Sequence, residues 1–322
     1  MASSDAIVTQ GLTKTYGLRR MPVPPPIARM RSVSAPVQAL RDLTISVKEG
    51  EVFGFLGPNG AGKSTMIRIL LGFLHASSGS ASVLGRDVAR DSVEIRRHVG
   101  YLPGGIALYD SMSGEALLDY LASLYGQPTP LRTQLVERLE FTAEDLRRPI
   151  RDYSRGMRQK IGIIQAFQHD PQLAVLDEPT EGLDPLMQRA FYDVLLERRA
   201  AGRTIFFSSH VLSEVERVCD RVAIIRKGQL VALSNVEALL ARRKRHVEIR
   251  LEGEPPVLDG VAGVSDVRVR GAGLVTCQLE GDVGPFLAAL QGIHIHDLLI
   301  EPARLEEAFL EYYAQDERLS AG

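Results

Sequence analysis

At 322 residues the chain is long enough for a full buried core and for about two domains. Its 38 basic and 40 acidic residues leave a net charge of −2, which removes any global electrostatic reason to expect nucleic acid as a partner. No uninterrupted apolar run approaches the roughly 18–20 residues of a membrane span, and Met1–Gly11 lacks the charged-then-apolar pattern of a secretory signal.

Ala6–Val8 alternate into a first strand, followed by Leu12–Gly17, in which Tyr16 offers a ring that stacks on a base or simply packs. Leu18–Gln38 then carries Pro22, Pro24, Pro25, Pro26 and Pro36 with Arg19, Arg20, Arg29 and Arg31 and no acidic residue. Prolines at this density disfavour helix and central strand, so the stretch is expected to be a solvent-exposed insertion. A basic arm touching anionic lipid head groups or a partner protein is its functional alternative. Ala39–Val47 alternates again, and Lys48-Glu49-Gly50 turns the chain into the apolar strand Glu51–Leu56.

The segment Gly57-Pro58-Asn59-Gly60-Ala61-Gly62-Lys63-Ser64-Thr65 follows at once, with the spacing G-x-x-x-x-G-K-[ST]. In such a loop the backbone N–H groups point inward around phosphate oxygens, the lysine reaches the β- and γ-phosphates, and the Ser64 hydroxyl binds Mg²⁺. The apolar positions of Thr65–Phe73 have helical spacing, and a helix starting there aims its positive dipole end at the phosphates.

Gly79–Asp87 reads as a strand ending in a turn at Gly85, and His98–Pro103 as a short strand stopped by proline. Ser113–Tyr125 and Leu131–Leu139 are helical in period, so a mostly helical insert, about residues 104–165, separates the phosphate loop from a second block of chemistry. That block opens with Tyr153-Ser154-Arg155-Gly156-Met157, which places Ser154 and the backbone around Gly156 at a helix N-terminus suited to an anion. The strand Leu173–Leu176 then ends in Asp177-Glu178. Adjacent carboxylates at the end of a buried strand are costly without partners. Beside a phosphate loop, Asp177 suits Mg²⁺ and Glu178 suits the role of general base toward water. Pro185 opens a further helix, and the strand Thr204–Ser209 delivers His210 at its C-terminal end. Helix Val211–Cys219, strand Arg221–Ile225 and a turn at Arg226–Gln229 complete this region.

These motifs, in this order, resemble those of the ATP-binding-cassette (ABC) ATPases over roughly Ala6–Leu240. The resemblance implies an α/β P-loop NTPase cassette, with a RecA-like core and a helical subdomain. Tyr153–Met157 is similar to the family's signature, usually L-S-G-G-Q, Glu181–Pro185 to its D-loop, and His210 to its switch histidine. Tyr16 matches the position whose ring stacks on adenine. Within the family, Val52–Thr65, Gly100–Pro103 and Leu305–Phe309 look like those of bacterial exporter ATPases, the group that includes antibiotic-resistance cassettes. By that resemblance Lys63, Ser64, Asp177, Glu178 and His210 face ATP and Mg²⁺ from one subunit. Ser154 and Gly156 approach from the other subunit of a head-to-tail homodimer. The implied partner is a separate transmembrane permease, with this chain held peripherally at the cytoplasmic side of the membrane and no nucleic acid expected.

Two departures stand out. The family usually has a glutamine shortly after Gly100–Pro103, where it contacts Mg²⁺ and water. Here Gly104 takes that position, and no glutamine occurs from Met66 to Gly126. In the signature, Tyr153, Arg155 and Met157 replace the commoner residues. These departures keep open a nucleotide-dependent regulatory subunit. A soluble cassette acting on ribosomes or nucleic acid is the other alternative, disfavoured by a single phosphate loop and near-neutral charge.

Past Leu240 the composition changes, through the basic run Arg242–Arg245, into a small accessory α+β domain, residues 241–322. His246–Leu251 alternates as a strand, and Val267–Arg270 and Leu274–Leu279 form a hairpin around Gly271–Gly273. Val283–Leu290 is helical, Ile293–Ile300 a strand, and Ala303–Tyr313 a closing helix. His294 and His296 share one face of their strand, and no further metal ligand stands out beside them. Cys219 and Cys277, far apart and in no metal-ligand spacing, read as small buried hydrophobes.

Overall fold

The computed structural model describes residues 4–17, 36–126, 128–241, 245–271 and 273–301. The chain divides between Leu233 and Ser234 into two compact units. Most of the Pro/Arg-rich insertion, the basic run at 242–244 and the helix expected at Ala303–Tyr313 lie outside the described residues.

The first unit begins with two long antiparallel strands, β1 (Asp5–Tyr16) and β2 (Val37–Lys48). β1 runs through the point where the sequence pattern breaks, because Gly11 sits at φ +58 and absorbs the irregular register there. Its N–H donates to Thr44 Oγ1 at 2.9 Å. The expected end of the insertion is corrected as well. Val37 and Gln38 pair with Tyr16 and Thr15 and so belong to β2. β3 (Val52–Leu56) leads through the Gly-rich loop into α1 (Lys63–Leu70). β4 (Ser78–Val83) and β5 (Arg86–Asp87) join β1 and β2 in a four-stranded sheet of order β2-β1-β4-β5.

α2 (Val88–His98), with Asp87 as its cap, has no counterpart in the sequence reading. Only Val88 and Ile95 are buried on it, and Asp91 kinks it, so its apolar period is too sparse to see. β6 (Val99–Leu102) precedes the helical part, α3 (Gly114–Tyr125), α4 (Arg132–Arg138), α5 (Ala143–Arg147) and α6 (Arg155–Phe167). Side-chain caps start three of these helices. Ser113 accepts from Ala116 N–H, Thr142 and Asp145 form a capping box, and Ser154 accepts from Met157 N–H.

β7 (Leu173–Asp177), α7 (Pro185–Ala200), β8 (Thr204–Ser209), α8 (Leu212–Val218), β9 (Arg221–Arg226) and β10 (Gln229–Asn235) complete a six-stranded sheet of order β10-β9-β3-β8-β7-β6. Every residue of β3, β7 and β8 is buried, which is why these strands read as unbroken apolar runs. α1 lies in the core between the two sheets. Its Met66, Ile67 and Leu70 pack with Leu40, Leu43 and Val47 of one sheet and with Phe53 and Phe55 of the other. Truncating a residue such as Ile67 to Ala at this position costs about 2–5 kcal/mol.

The second unit contains α9 (Val236–Ala241), β11 (Arg245–Leu251), β12 (Val264–Arg270), β13 (Leu274–Leu279), α10 (Gly284–Ala289) and β14 (Ile295–Glu301). Its strands form an antiparallel sheet of order β12-β13-β11-β14, with a separate core around Val247, Ile249, Val275, Cys277 and Phe286. Cys219 and Cys277 are both free and buried.

Candidate active site

The loop Gly57–Thr65 is held in a narrow path. A Cβ on Gly57 would stand 2.5 Å from the carbonyl oxygen of Ile225, and one on Gly62 would stand 2.5 Å from that of Ala39. Gly62 also has φ +112, a conformation open to glycine at little cost. It is the N-cap of α1, and no side chain caps that helix, so its first-turn N–H groups face the loop without a side-chain acceptor. Lys63 is only 5% exposed. Its Nζ donates to the Gly57 carbonyl at 2.6 Å and approaches that of Pro58 at 3.4 Å. A buried ammonium needs such partners.

β3, β8 and β7 are parallel neighbours, so their C-terminal ends arrive side by side. Leu56 pairs with Ser209, and Asp177 with Ser208. Ser208 Oγ donates to Asp177 Oδ1 at 2.6 Å, and the Glu178 N–H reaches the same hydroxyl at 3.2 Å. Glu178 stands at φ +49, a left-handed conformation that costs a non-glycine residue about 1–3 kcal/mol. Its carboxylate lies between two cations or potential cations. Oε1 is 3.2 Å from Lys63 Nζ, and Oε2 is 3.1 Å from His210 Nδ1. The start of α1 and the ends of β7 and β8 therefore meet around one carboxylate.

Beneath them lies a second carboxylate that the sequence reading missed. Glu214 of α8 is buried and accepts hydrogen bonds from Thr180, from Ser209 Oγ at 2.6 Å and from Tyr192 at 3.4 Å. Burial, followed by the charge of Glu214, pushes the Tyr192 phenol far above its usual range. This network ties the segment after Glu178 to the strand end that carries His210. Ser208, Ser209 and Glu214 carry no motif of their own. The hydroxyl pair at the end of an apolar strand is the signal that was available.

Tyr16, at the end of β1, is 40% exposed and shares a 3.4 Å contact between its hydroxyl and Thr65 Oγ1, which sets its ring beside the first turn of α1. Ser64 is exposed on that turn. Ser154 and Gly156 lie elsewhere in the unit. The side chains of this helix start engage the stretch after Glu178, with Arg155 paired to Glu181 and Gln159 Nε2 donating to the Pro179 carbonyl at 2.5 Å. Among the described residues no hydrogen bond or ion pair joins Ser154–Gln159 to Gly57–Thr65. Gly104 borders Asp177, since a Cβ there would lie 3.3 Å from Oδ2.

The chemistry of this cluster suits a phosphate ester and a hard cation. An uncapped helix start and a buried ammonium match phosphate oxygens. The Ser64 hydroxyl and the Asp177 carboxylate are hard oxygen donors of the kind Mg²⁺ takes. The ABC transporter family matches residues 40–181. An uncharacterized ABC transporter ATP-binding protein of Synechocystis is 35% identical over 85% of this chain and 78% of its own length. The chain belongs to this family. It is the ATP-binding subunit of an ABC transporter, an ATPase that serves transmembrane transport. A fluoroquinolones export ATP-binding protein of Mycobacterium tuberculosis is 33% identical over 85% of this chain and 87% of its own. Among solved structures, an ATP-binding subunit of an ABC transporter superposes with a TM-score of 0.62 at 28% identity, covering 73% of this chain and 91% of that one.

Proposed function

We propose that this ABC ATPase powers an exporter, working as a head-to-tail homodimer that encloses two ATP molecules and drives a separate transmembrane permease. The observation that supports its chemistry is the convergence of Lys63, Glu178 and His210 around the loop Gly57–Thr65, with Asp177 on the adjoining strand end. Export is supported by the fluoroquinolones export protein among its relatives. No helix of the described residues is long and apolar enough to cross a membrane. The permease forms the passage, and this chain sits beside it at the cytoplasmic face.

In this reading the backbone of Gly57-Pro58-Asn59-Gly60-Ala61-Gly62 wraps the phosphates, Lys63 pairs with the outer ones, and Thr65 and Tyr16 border the nucleoside side. Ser64 and Asp177 would hold Mg²⁺, whose charge would offset that of the phosphates. Glu178 takes the proton of the attacking water, and His210 orients its carboxylate. Lys63 leaves Glu178 when phosphate arrives, so binding itself releases the base. Ser154 and Gly156 act on the nucleotide held by the partner subunit; in support of this reading, their helix start packs against the segment after Glu178, with Gly156 beside Gly182.

The test is light scattering of Glu178→Gln in saturating ATP and Mg²⁺. A stable dimer, absent in ADP, is expected, and a monomer overturns the dimer reading. Purification from native membranes in mild detergent should bring a multi-span protein in stoichiometric amount. Recovery with ribosomes or nucleic acid instead overturns the export reading.

A further inference from the structure

We propose that Glu252, His294 and His296 form a binding site for a borderline divalent transition-metal ion of the Zn²⁺ class. On the sequence the two histidines lack a third ligand, and the fold of the C-terminal unit supplies it. Glu252 follows directly on β11, and the histidines stand at the start of the neighbouring strand β14. Arg250 pairs with Asp297 but Leu251 pairs with Ile295, so His296 falls at a register shift. Such an irregularity re-aims a side chain relative to regular alternation. The Glu252 N–H donates to the His294 carbonyl at 3.1 Å, which fixes the two segments where the three side chains meet.

One ligand atom from each residue lies within 4.8 Å of the other two. His296 Nε2 and Glu252 Oε2 are 3.5 Å apart, and the imidazole centroids are 5.1 Å apart at an interplanar angle of 77°. Zn–N and Zn–O bonds of about 2.0–2.2 Å at tetrahedral angles set ligand atoms about 3.4 Å apart. The Glu–His edge already has that spacing, and rotation of exposed side chains closes the rest. Two imidazoles and one carboxylate suit Zn²⁺ and its neighbours rather than Mg²⁺, which prefers oxygen alone. A fourth position stays open to water or to a ligand from another molecule. A bound ion staples the end of β11 to the start of β14 and stabilises this unit by mass action. An exposed carboxylate–histidine contact on its own contributes little.

The probe is Zn²⁺ alone, titrated calorimetrically into the full chain with excess Mg²⁺ present to fill oxygen sites. One Zn²⁺ per chain is expected at this site. Glu252→Gln, His294→Ala and His296→Ala should each weaken it by at least the roughly 10–100-fold that loss of an outer-shell partner already costs. His246→Ala, at the far end of β11, should leave it in place. Far-ultraviolet circular dichroism and Mg²⁺-ATP turnover report that each variant is folded. Absence of Zn²⁺ binding, or binding that none of the three variants weakens, overturns the assignment.

Discussion

Lys63 and Glu178 neutralise each other across the phosphate loop, with Nζ and Oε1 3.2 Å apart and the ammonium almost fully buried. A phosphate that claims Lys63 must displace this contact and the 2.6 Å hydrogen bond to Gly57. Glu178→Gln therefore removes a competitor for the lysine as well as the proposed base. ATP affinity is expected to hold or tighten while turnover falls by about 10²–10⁴-fold. Lys63→Ala should lose ATP affinity. Fluorescent-nucleotide titration and phosphate release, measured side by side, check both.

Gly104 stands beside Asp177, and a Cβ there would sit 3.2–3.3 Å from Asp177 oxygens, so the neighbourhood must give by a few tenths of an ångström to take a glutamine. Gly104→Gln is expected to fold and to add an oxygen donor near the proposed metal position. Half-maximal turnover should then need less Mg²⁺. An ATPase titration against Mg²⁺ concentration, with the melting temperature as control, gives the answer.

Glu214 is the shared acceptor of Thr180, Ser209 and Tyr192. Glu214→Ala leaves buried hydroxyls unpaired and should cost about 2–4 kcal/mol of stability. Glu214→Gln retains shape and one acceptor, so its loss of stability should be smaller. Because the network positions the strand end that carries His210, turnover should fall in both variants. Urea unfolding and steady-state kinetics separate the two effects.

His169 stacks on Tyr125, with ring centroids 4.0 Å apart, and neither ring nitrogen has a hydrogen-bond partner among the described residues. Burial lowers its pKa to about 4, against 6.5 for the free side chain. Between those values the unfolded chain takes up a proton that the folded chain refuses. Stability is therefore lost as pH falls below 6.5 and is fully present above it. His169→Phe removes this linkage. The difference in unfolding free energy between variant and parent should move by about 2 kcal/mol in favour of the variant from pH 7.5 to pH 5. Urea titrations at the two pH values measure it.

Arg155, a departure from the usual signature, pairs with Glu181 at the surface, with side chains 71% and 46% exposed. Such a pair is worth little in water, so Arg155→Ala should change stability by less than about 1 kcal/mol. Thermal melts of the variant and parent provide the check.

The strand–loop–helix around Lys63, the carboxylates Asp177-Glu178 at a strand end and His210 at another were legible because each is a local pattern. A buried parallel strand is a run of apolar residues, and chemistry gathers where it stops. The helix Val88–His98 was not legible, since only Val88 and Ile95 are buried on it and charge dominates its period. Nor was the full length of β1, whose alternation breaks at Gly11.

The amino-acid sequence by itself determined the strand–loop–helix around Gly57–Thr65 and the positions of Asp177, Glu178 and His210 where apolar strands stop. Only the tertiary structure decided that Glu178 rests against both Lys63 and His210, that Ser208 holds Asp177, that Glu214 gathers three hydroxyls, and that Glu252 meets His294 and His296. The reason is physical. Side-chain contacts between distant residues depend on which strands become neighbours and in what register, and that follows from the packing of the whole sheet rather than from any local spacing.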